Sequence, residues 1–325
     1  MGIGGRIDNF INRFANDDSN IEPKSVEKKS EKKIDFFPIE PKYSFDDIIL
    51  PASVKDEILN VAESQQNSKL VFEEWNLQAV YKTSRCVGIN FYGASGTGKT
   101  MAAHAVAKYL GRKLLIVNYA DVESKYVGDT PKNIQQAFKT AKESNSILFF
   151  DEADAILSKR VTNMNNATDV SVNQTRSVML MLMNDYQDFI IFATNFITNY
   201  DPAFMRRIST HIEFKLPDLD CRKKLWAHYI LPTMPNNIDV EEIAEKYDGI
   251  SGSDISNAVL MAAFKAARSD PKFVQKEFVF EAIETTLKSK EANTGIKIEK
   301  RVVSEDYVKK QLSKHGKSFE GENIL

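Results

Sequence analysis

The segment Gly93–Thr100, GASGTGKT, has residue types and spacing suited to holding phosphate groups. It follows the apolar run VGINFY and precedes the helical run MAAHAVAKYL, the strand-loop-helix context that the G-x-x-x-x-G-K-T pattern requires. The glycines allow backbone N–H groups to surround a phosphate, and the helix N-terminus adds partial positive charge. A chance match without function is the alternative. The residues predicted to bind nucleotide in this P-loop pattern are Ser95, Gly96, Thr97, Gly98, Lys99 and Thr100.

Two acidic residues follow a second apolar run. Asp151 and Glu152 come directly after SILFF, and α/β sheets bind ligands at the carboxyl ends of their parallel strands. Lys99 would then reach the β- and γ-phosphates of ATP, while Thr100 and Asp151 would serve Mg²⁺, with Asp151 in its outer ligand shell. Glu152 is placed to activate the attacking water as a general base. Capping of the next helix is the alternative role of the two acids.

A polar residue also ends a third apolar run. Asn195 follows FIIFAT, so its side chain is expected to emerge at the same edge of the sheet. There it could hydrogen-bond the γ-phosphate or the lytic water. Formation of a turn is the alternative, since asparagine favours turns.

Short apolar runs alternate with helical periods after residue 43, which predicts βαβ units around a parallel sheet. A helical region follows. We therefore predict an α/β P-loop NTPase domain with a parallel sheet, followed by a small all-helical domain. The predicted strands are Val87–Tyr92, Leu114–Asn118, Ile147–Phe150, Ile190–Ala193 and His211–Phe214. The predicted helices are Lys223–Ile230, Ser253–Ala267 and Glu277–Lys288, with a further one near Ser304–Ser313.

The N-terminal residues have a different pattern. Ile7, Phe10, Ile11 and Phe14 form one apolar stripe, which predicts an amphipathic helix over residues 1–15 that packs on the chain's own body or on a partner. Residues 16–40 are polar and charged and predict a flexible linker. The α/β domain is assigned to 41–217, and the helical domain with a C-terminal extension to 218–325.

Bulk composition narrows the class of protein. The 325 residues are 42% hydrophobic and 27% charged, which is typical of soluble globular proteins. A net charge of −2 gives no global reason to bind nucleic acid. The two cysteines and four scattered histidines show no metal-site or disulfide pattern. Without a spanning apolar run or a signal-peptide core, we expect a cytoplasmic protein with no membrane contact.

Several motifs together resemble a known family. The segments GASGTGKT, ILFFDEADAI, IIFATN, DPAFMRRISTHIEFKLPD and YDGISGSDI have the order and approximate spacing of the AAA module of katanin, spastin and FtsH-type ATPases. The resemblance covers about residues 43–288 and implies hexameric rings in which an arginine finger contacts the neighbour's ATP. Arg206 and Arg207 are the candidates, and their adjacency is similar to katanin and spastin. Solvated surface charges are the alternative.

The same resemblance implies further contacts. Asp47 and Ile48 match the segment that lies against the adenine, and Gly252 and Ser253 match the small residues by which the helical lid approaches the nucleotide. Helix capping by Gly252 and helix initiation by Asp47 are the alternatives.

A final motif resembles the family's pore loop. The segment ESKYVGDT contains Lys125, Tyr126 and Val127, and the resemblance implies that these side chains grip an extended polypeptide in the central channel. The alternative is that Tyr126 covers part of its own core.

The function expected from these residues and the resemblance is ATP-driven protein remodelling, by an unfoldase, translocase or disassembly factor that threads polypeptide through a hexameric pore. The expected partners are other copies of the chain, a protein substrate, and an adaptor or separate protease docked by the N-terminal helix. Alternatives are a nucleic-acid motor or loader, and a scaffold that binds ATP only as a structural cofactor.

Overall fold

The computed structural model describes residues 34–80, 87–118, 122, 129–158, 167–186, 188–195 and 200–294. The predicted N-terminal helix, most of the linker, the pore-loop residues Lys125, Tyr126 and Val127, and the helix predicted near 304–313 lie outside these residues. The predicted domain boundaries stay predictions.

Five strands form one sheet in the order β2-β3-β4-β1-β5, and every neighbouring pair is parallel. All five predicted strands are present. β5 begins at Ile208, earlier than the predicted His211. The strands are β1 (Val87–Gly93), β2 (Leu114–Asn118), β3 (Ile147–Asp151), β4 (Phe189–Thr194) and β5 (Ile208–Phe214).

Helices cover both faces of this sheet. Alternate residues of β4 point to opposite faces, so Phe192 joins one core cluster and Ile191 joins the other. The Phe192 face is covered by α3 (Asp129–Glu143) and α5 (Ala167–Asp185), and the Ile191 face by α1 (Ala52–Gln66) and α2 (Lys99–Tyr109). Two short helices, α4 (Asp154–Leu157) and α6 (Pro202–Met205), follow β3 and precede β5 respectively.

The chain continues after β5 as helices with their own core, centred on Trp226, which is fully buried. These helices are α7 (Leu219–Tyr229), α8 (Val240–Lys246), α9 (Gly252–Ala267) and α10 (Lys276–Thr294). α7 begins before the predicted Lys223 because the Asp218 carboxylate accepts a hydrogen bond from the Cys221 N–H (2.8 Å). The predicted fold class, a parallel α/β sheet domain followed by helices, is confirmed.

Arg222 ties this helical region to the segment that leaves β5. Its buried guanidinium donates to the carbonyl oxygens of Ala244 and Pro217 (3.0 Å each) and to the Asp248 carboxylate (2.8 Å). The orientation of α7 is therefore fixed at the point where the two parts of the chain join.

The chain before α1 covers one end of the sheet edge. Ile39 and Leu114, the first residue of β2, exchange two backbone hydrogen bonds of 2.8 and 2.9 Å. The Ile39 side chain also packs against the core on the Ile191 face. Across the described part of the chain, no helix is both long and apolar enough to cross a bilayer.

Candidate active site

A cavity of about 400 Å³ lies where the carboxyl ends of β1, β3 and β4 meet the helical region. Such an edge is where parallel α/β sheets bind their ligands. The cavity brings together residues predicted from five separate stretches of sequence. These are Asp47, Ile48, Ser95, Gly96, Thr97, Gly98, Lys99, Thr100, Asp151, Glu152, Asn195, Gly252 and Ser253.

Two glycines give the loop between β1 and α2 its shape. Gly93 has φ +138°, and a Cβ there would lie 2.2 Å from the Phe214 carbonyl oxygen of β5. Gly96 has φ +77°, and its Cβ would lie 2.8 Å from the Cβ of Ser253. Both positions therefore require glycine, the first for packing on the sheet and the second for contact with α9.

Lys99 begins α2 and is held in place by three acceptors. Its ammonium donates to the carbonyl oxygens of Gly93 (2.7 Å) and Ala94 (2.9 Å) and to Asn195 Oδ1 (3.1 Å). Burial lowers the pKa of Lys99, while the nearby carboxylates of Asp151 and Asp154 oppose that shift. A buried cation aimed into an open cavity is suited to binding an anionic phosphate group.

A hydroxyl and a carboxylate converge on the same wall of the cavity. Thr100 Oγ1 donates to Asp151 Oδ2 at 2.9 Å. Oxygen atoms of these two types are the ligands that Mg²⁺ prefers, so the residues present fit the predicted metal.

Glu152, the predicted general base, has a left-handed backbone. Its φ is +51°, which is uncommon for a residue with a side chain, and its N–H donates to Asp151 Oδ1 (3.0 Å). Residues held in such conformations cluster at functional sites. The exposed Glu152 side chain lines the cavity, where it can meet a water molecule.

Asn195 is joined to both sides of the site. Its side-chain oxygen accepts from Lys99, and its backbone N–H donates to Asp154 Oδ2 at 3.3 Å. Asp154 was not singled out from the sequence, although it is the third acidic position of the DEAD segment. It orients Asn195 from α4.

The N-terminus of α9 closes the cavity over the glycine loop. The Ser253 N–H donates to the Gly96 carbonyl oxygen (3.2 Å). The N-cap Ser251 and Asp254 form a reciprocal capping box, and Lys290 of α10 also donates to Asp254. Burial alone would raise the pKa of Asp254, but the hydrogen bonds from Lys290 and Ser251 outweigh it and lower that pKa below its ordinary value.

Asp47 and Ile48 form the opposite wall. Asp47 is the last residue of a short 3₁₀ turn, Phe45–Asp47, rather than the first residue of a helix. Hydrogen bonds from the Ser44 hydroxyl and N–H lower the pKa of its carboxyl group. Ile48 is buried and presents an apolar wall.

Arg206 and Arg207 do not line the cavity. Both follow α6. Arg207 is half-buried and donates to Asn184 Oδ1 (2.7 Å) and the Ala203 carbonyl oxygen (2.8 Å). Arg206 is exposed, and its Nε donates to the Pro202 carbonyl oxygen (3.3 Å) of its own helix.

One face of α7 completes the cavity and was missed in the sequence. This face carries four side chains at helical spacing that line the cavity together with Pro217: Cys221, Leu225, His228 and Tyr229. The four scattered histidines show no pattern in the sequence, so nothing there indicates that His228 lies beside the site. Burial raises the pKa of the Cys221 thiol to about 11, so it stays protonated near neutral pH.

Comparisons with known proteins agree with this geometry. A family model described as "ATPase family associated with various cellular activities (AAA)" matches residues 89–216, and a model described as "AAA+ lid domain" matches residues 237–279. Together the two models match more than half of the chain.

Curated relatives are similar to this chain over part of its length. Cell division protein C of Sulfolobus acidocaldarius is 34% identical over 59% of this chain and 54% of its own length. A 26S proteasome regulatory subunit 4 homolog of Oryza sativa is 35% identical over 60% of this chain and 49% of its own length. Protein CdcH of Halobacterium salinarum is 30% identical over 78% of this chain and 36% of its own length.

The chain thus spans about half the length of the first two relatives and about a third of the third. The matched residues contain the glycine loop, the acidic end of β3, Asn195, and helices α8 and α9 of the helical region. On these matches and this architecture, the chain belongs to the AAA family.

Proposed function

We propose that this chain is a Mg²⁺-dependent ATPase. The observation that carries the proposal is the convergence, in one cavity, of Lys99, Thr100 with Asp151, Glu152 and Asn195. A structural ATP site would need the cation and the glycine loop. It would not need a carboxylate on a left-handed backbone facing the space beside them.

The roles of the residues follow from their chemistry. Lys99 and the N–H groups of the glycine loop bind the β- and γ-phosphates, while Thr100 and Asp151 would hold Mg²⁺. The metal held there would supply positive charge to offset the negative charge of the phosphates. Glu152 accepts a proton from the water that attacks the γ-phosphorus, as the bond to the β–γ bridging oxygen breaks and ADP leaves.

We further propose a homohexameric ring in which one chain contacts the ATP of its neighbour. Arg206 is the better candidate for this contact, because its exposed guanidinium leaves donors available whereas Arg207 is bound to Asn184 of its own chain. A guanidinium that reaches a neighbour's γ-phosphate stabilises the charge of phosphoryl transfer.

The proposed work of the ring is protein remodelling. Among the relatives are regulatory subunits of the 26S proteasome and a cell division protein, and the net charge of −2 provides no broad attraction for nucleic acid. Lys125, Tyr126 and Val127 would grip a polypeptide in the central pore. The N-terminal residues would dock an adaptor or a separate protease, and the assembly would act in the cytoplasm.

The test compares ATP binding with ATP turnover in two glutamate variants. Glu152→Gln should bind ATP as the wild-type chain does, while phosphate release falls by at least about 100-fold, the range of a lost general base. Glu143→Gln, on the exposed surface of α3, is the matched control and should turn over normally. Turnover by Glu152→Gln equal to that of the control would refute the assignment.

The class of substrate is tested in the same assay. An unfolded protein should stimulate wild-type phosphate release, and Tyr126→Ala should abolish that stimulation while leaving the basal rate unchanged. Stimulation by DNA or RNA but not by unfolded protein would replace protein remodelling with a nucleic-acid function.

A further inference from the structure

Three buried polar side chains form a network inside the core, beside the active site. Asn90 of β1 is 0% exposed, Thr194 at the end of β4 is 1% exposed, and Tyr200 is 5% exposed. We call these three residues the buried polar triad. They lie on the sheet face that also carries Phe192, the register partner of Asn90.

Hydrogen bonds connect the triad in a consistent direction. Tyr200 Oη donates to Thr194 Oγ1, and Thr194 Oγ1 donates to Asn90 Oδ1 at 3.5 Å. Tyr200 Oη also lies 3.3 Å from Asn90 Oδ1, so the three side chains are in mutual contact. Asn90 Nδ2 lies 3.4 Å from His211 Nδ1 on β5. Each hydroxyl has a single proton, and this arrangement uses each once. Burial raises the pKa of Tyr200 to about 12, so its hydroxyl remains a donor at neutral pH.

One end of the triad adjoins the nucleotide cavity. Thr194 directly precedes Asn195, whose side chain accepts the hydrogen bond from Lys99. The backbone position of Thr194 therefore bears directly on the position of Asn195.

The other end of the triad adjoins α6, the helix that precedes Arg206. Tyr200 forms an isolated antiparallel β-bridge with Ser158. The next residue, Asp201, donates its N–H to the Leu157 carbonyl oxygen (2.9 Å) and is the N-cap of α6. Phe204 anchors α6 in the core with 0% exposure. Arg206 directly follows this helix.

We propose that Tyr200 is a positioning residue. Through Thr194 and Asn90 it holds helix α6, which precedes Arg206, in register with Asn195. The inference rests on the ATPase function proposed above. A buried hydroxyl or amide without a partner is unfavourable, so the members of the triad hold one arrangement together. Contact of nucleotide with Asn195 is thereby coupled to presentation of Arg206 to the neighbouring chain.

The first experiment removes only the hydroxyl group of Tyr200. With Tyr200→Phe, kcat for ATP should fall about tenfold, equivalent to about 1.4 kcal/mol in activation free energy, while the Kd for ATP stays within about twofold. The matched control is Tyr247→Phe in the lid core, whose buried hydroxyl has no hydrogen-bond partner among the residues that the structure describes. The control should leave both constants unchanged.

The second experiment asks whether the effect passes through the arginines. In a chain with Arg206→Ala and Arg207→Ala, adding Tyr200→Phe should lower kcat no further, because the groups that it positions are gone. A purely structural effect would lower kcat equally in both backgrounds and would overturn the inference. Thr194→Val removes a hydroxyl of the same network from β4. It must also lower kcat while leaving the Kd for ATP unchanged, and it serves as the test if Tyr200→Phe folds poorly.

Wild-type turnover separates a failure of the proposed function from a failure of the role given to Tyr200. No ATP turnover by the wild-type chain would refute the proposed function, and the inference with it. Normal wild-type turnover with Tyr200→Phe indistinguishable from Tyr247→Phe would refute the inference alone.

Discussion

Substitution of Gly96 by alanine tests whether the lid helix rests directly on the glycine loop. A Cβ at Gly96 would lie 2.8 Å from the Cβ of Ser253, whereas ordinary van der Waals contact begins at 3.4 Å. Since 3.4 − 2.8 = 0.6 Å, α9 and the loop must separate by about that much. The hydrogen bond from the Ser253 N–H to the Gly96 carbonyl oxygen, now 3.2 Å long, would then lengthen beyond a useful distance.

Two contributions add to the expected effect of Gly96→Ala. Alanine on a left-handed backbone costs about 1–2 kcal/mol of folding free energy. Loss of the hydrogen bond to α9 costs about 0.5–1.5 kcal/mol more. Because the second contribution acts where the cavity closes, we expect the Kd for ATP to rise by about tenfold.

A glycine with nearly the same φ angle provides the control. Gly249 has φ +72°, against +77° for Gly96, and nothing lies within 4 Å of the position of its added Cβ among the described residues. Gly249→Ala should therefore lower the free energy of unfolding by about 1–2 kcal/mol without changing ATP affinity.

Isothermal titration with ATP and thermal unfolding of both variants separate the two contributions. Adding Ser253→Gly to Gly96→Ala removes the Ser253 atoms that would clash but leaves Ser251 Oγ, 2.7 Å from the added Cβ, and should recover part of the lost affinity. Equal ATP affinity in Gly96→Ala, Gly249→Ala and the wild-type chain would refute the direct contact between α9 and the loop.

Two further predictions concern stability. Arg222→Met should lower the unfolding free energy of the helical region by about 2–4 kcal/mol, because the carbonyl groups of Ala244 and Pro217 lose their donor. Asp248→Asn, at the exposed end of the same ion pair, should cost under about 1 kcal/mol, and equal costs in chemical denaturation would contradict this reasoning. Burial lowers the pKa of His104 below 6.5, so the unfolded chain binds more protons just below that pH. Unfolding free energy should therefore fall as pH drops from 6.5 toward the folded pKa, less steeply in His104→Gln, and identical slopes for the two chains would contradict the burial effect.

Elements with a distinctive local residue pattern are predictable from the sequence alone. β3 is apolar throughout before its acids, and the glycine loop carries its own pattern, so the spacing alone predicted both. α10 continues to Thr294, beyond the predicted end at Lys288. The prediction stops short because the last turns are mostly polar and lack a strong apolar period. Helix ends set by side-chain capping are similarly hidden until the cap is seen, as Asp218 shows at α7.

The site was less predictable where it depends on tertiary packing. Nothing local distinguishes the face of α7 that carries His228 from an ordinary amphipathic helix, since only the docking of the helical region directs it toward the cavity. The buried polar triad was missed for the same reason. Asn90 stands in an apolar strand, and its partner Tyr200 is 110 residues away in sequence.

The pairing of Ile39 with Leu114 has a consequence for association of the folded chain. β2 is the first strand in the sheet order, and a free strand edge is a template on which another polypeptide can add a strand. Two backbone hydrogen bonds and a packed side chain already occupy the start of this edge. A strand that pairs along the whole of β2 must displace Ile39, so this short extended segment protects the start of the edge against aggregation.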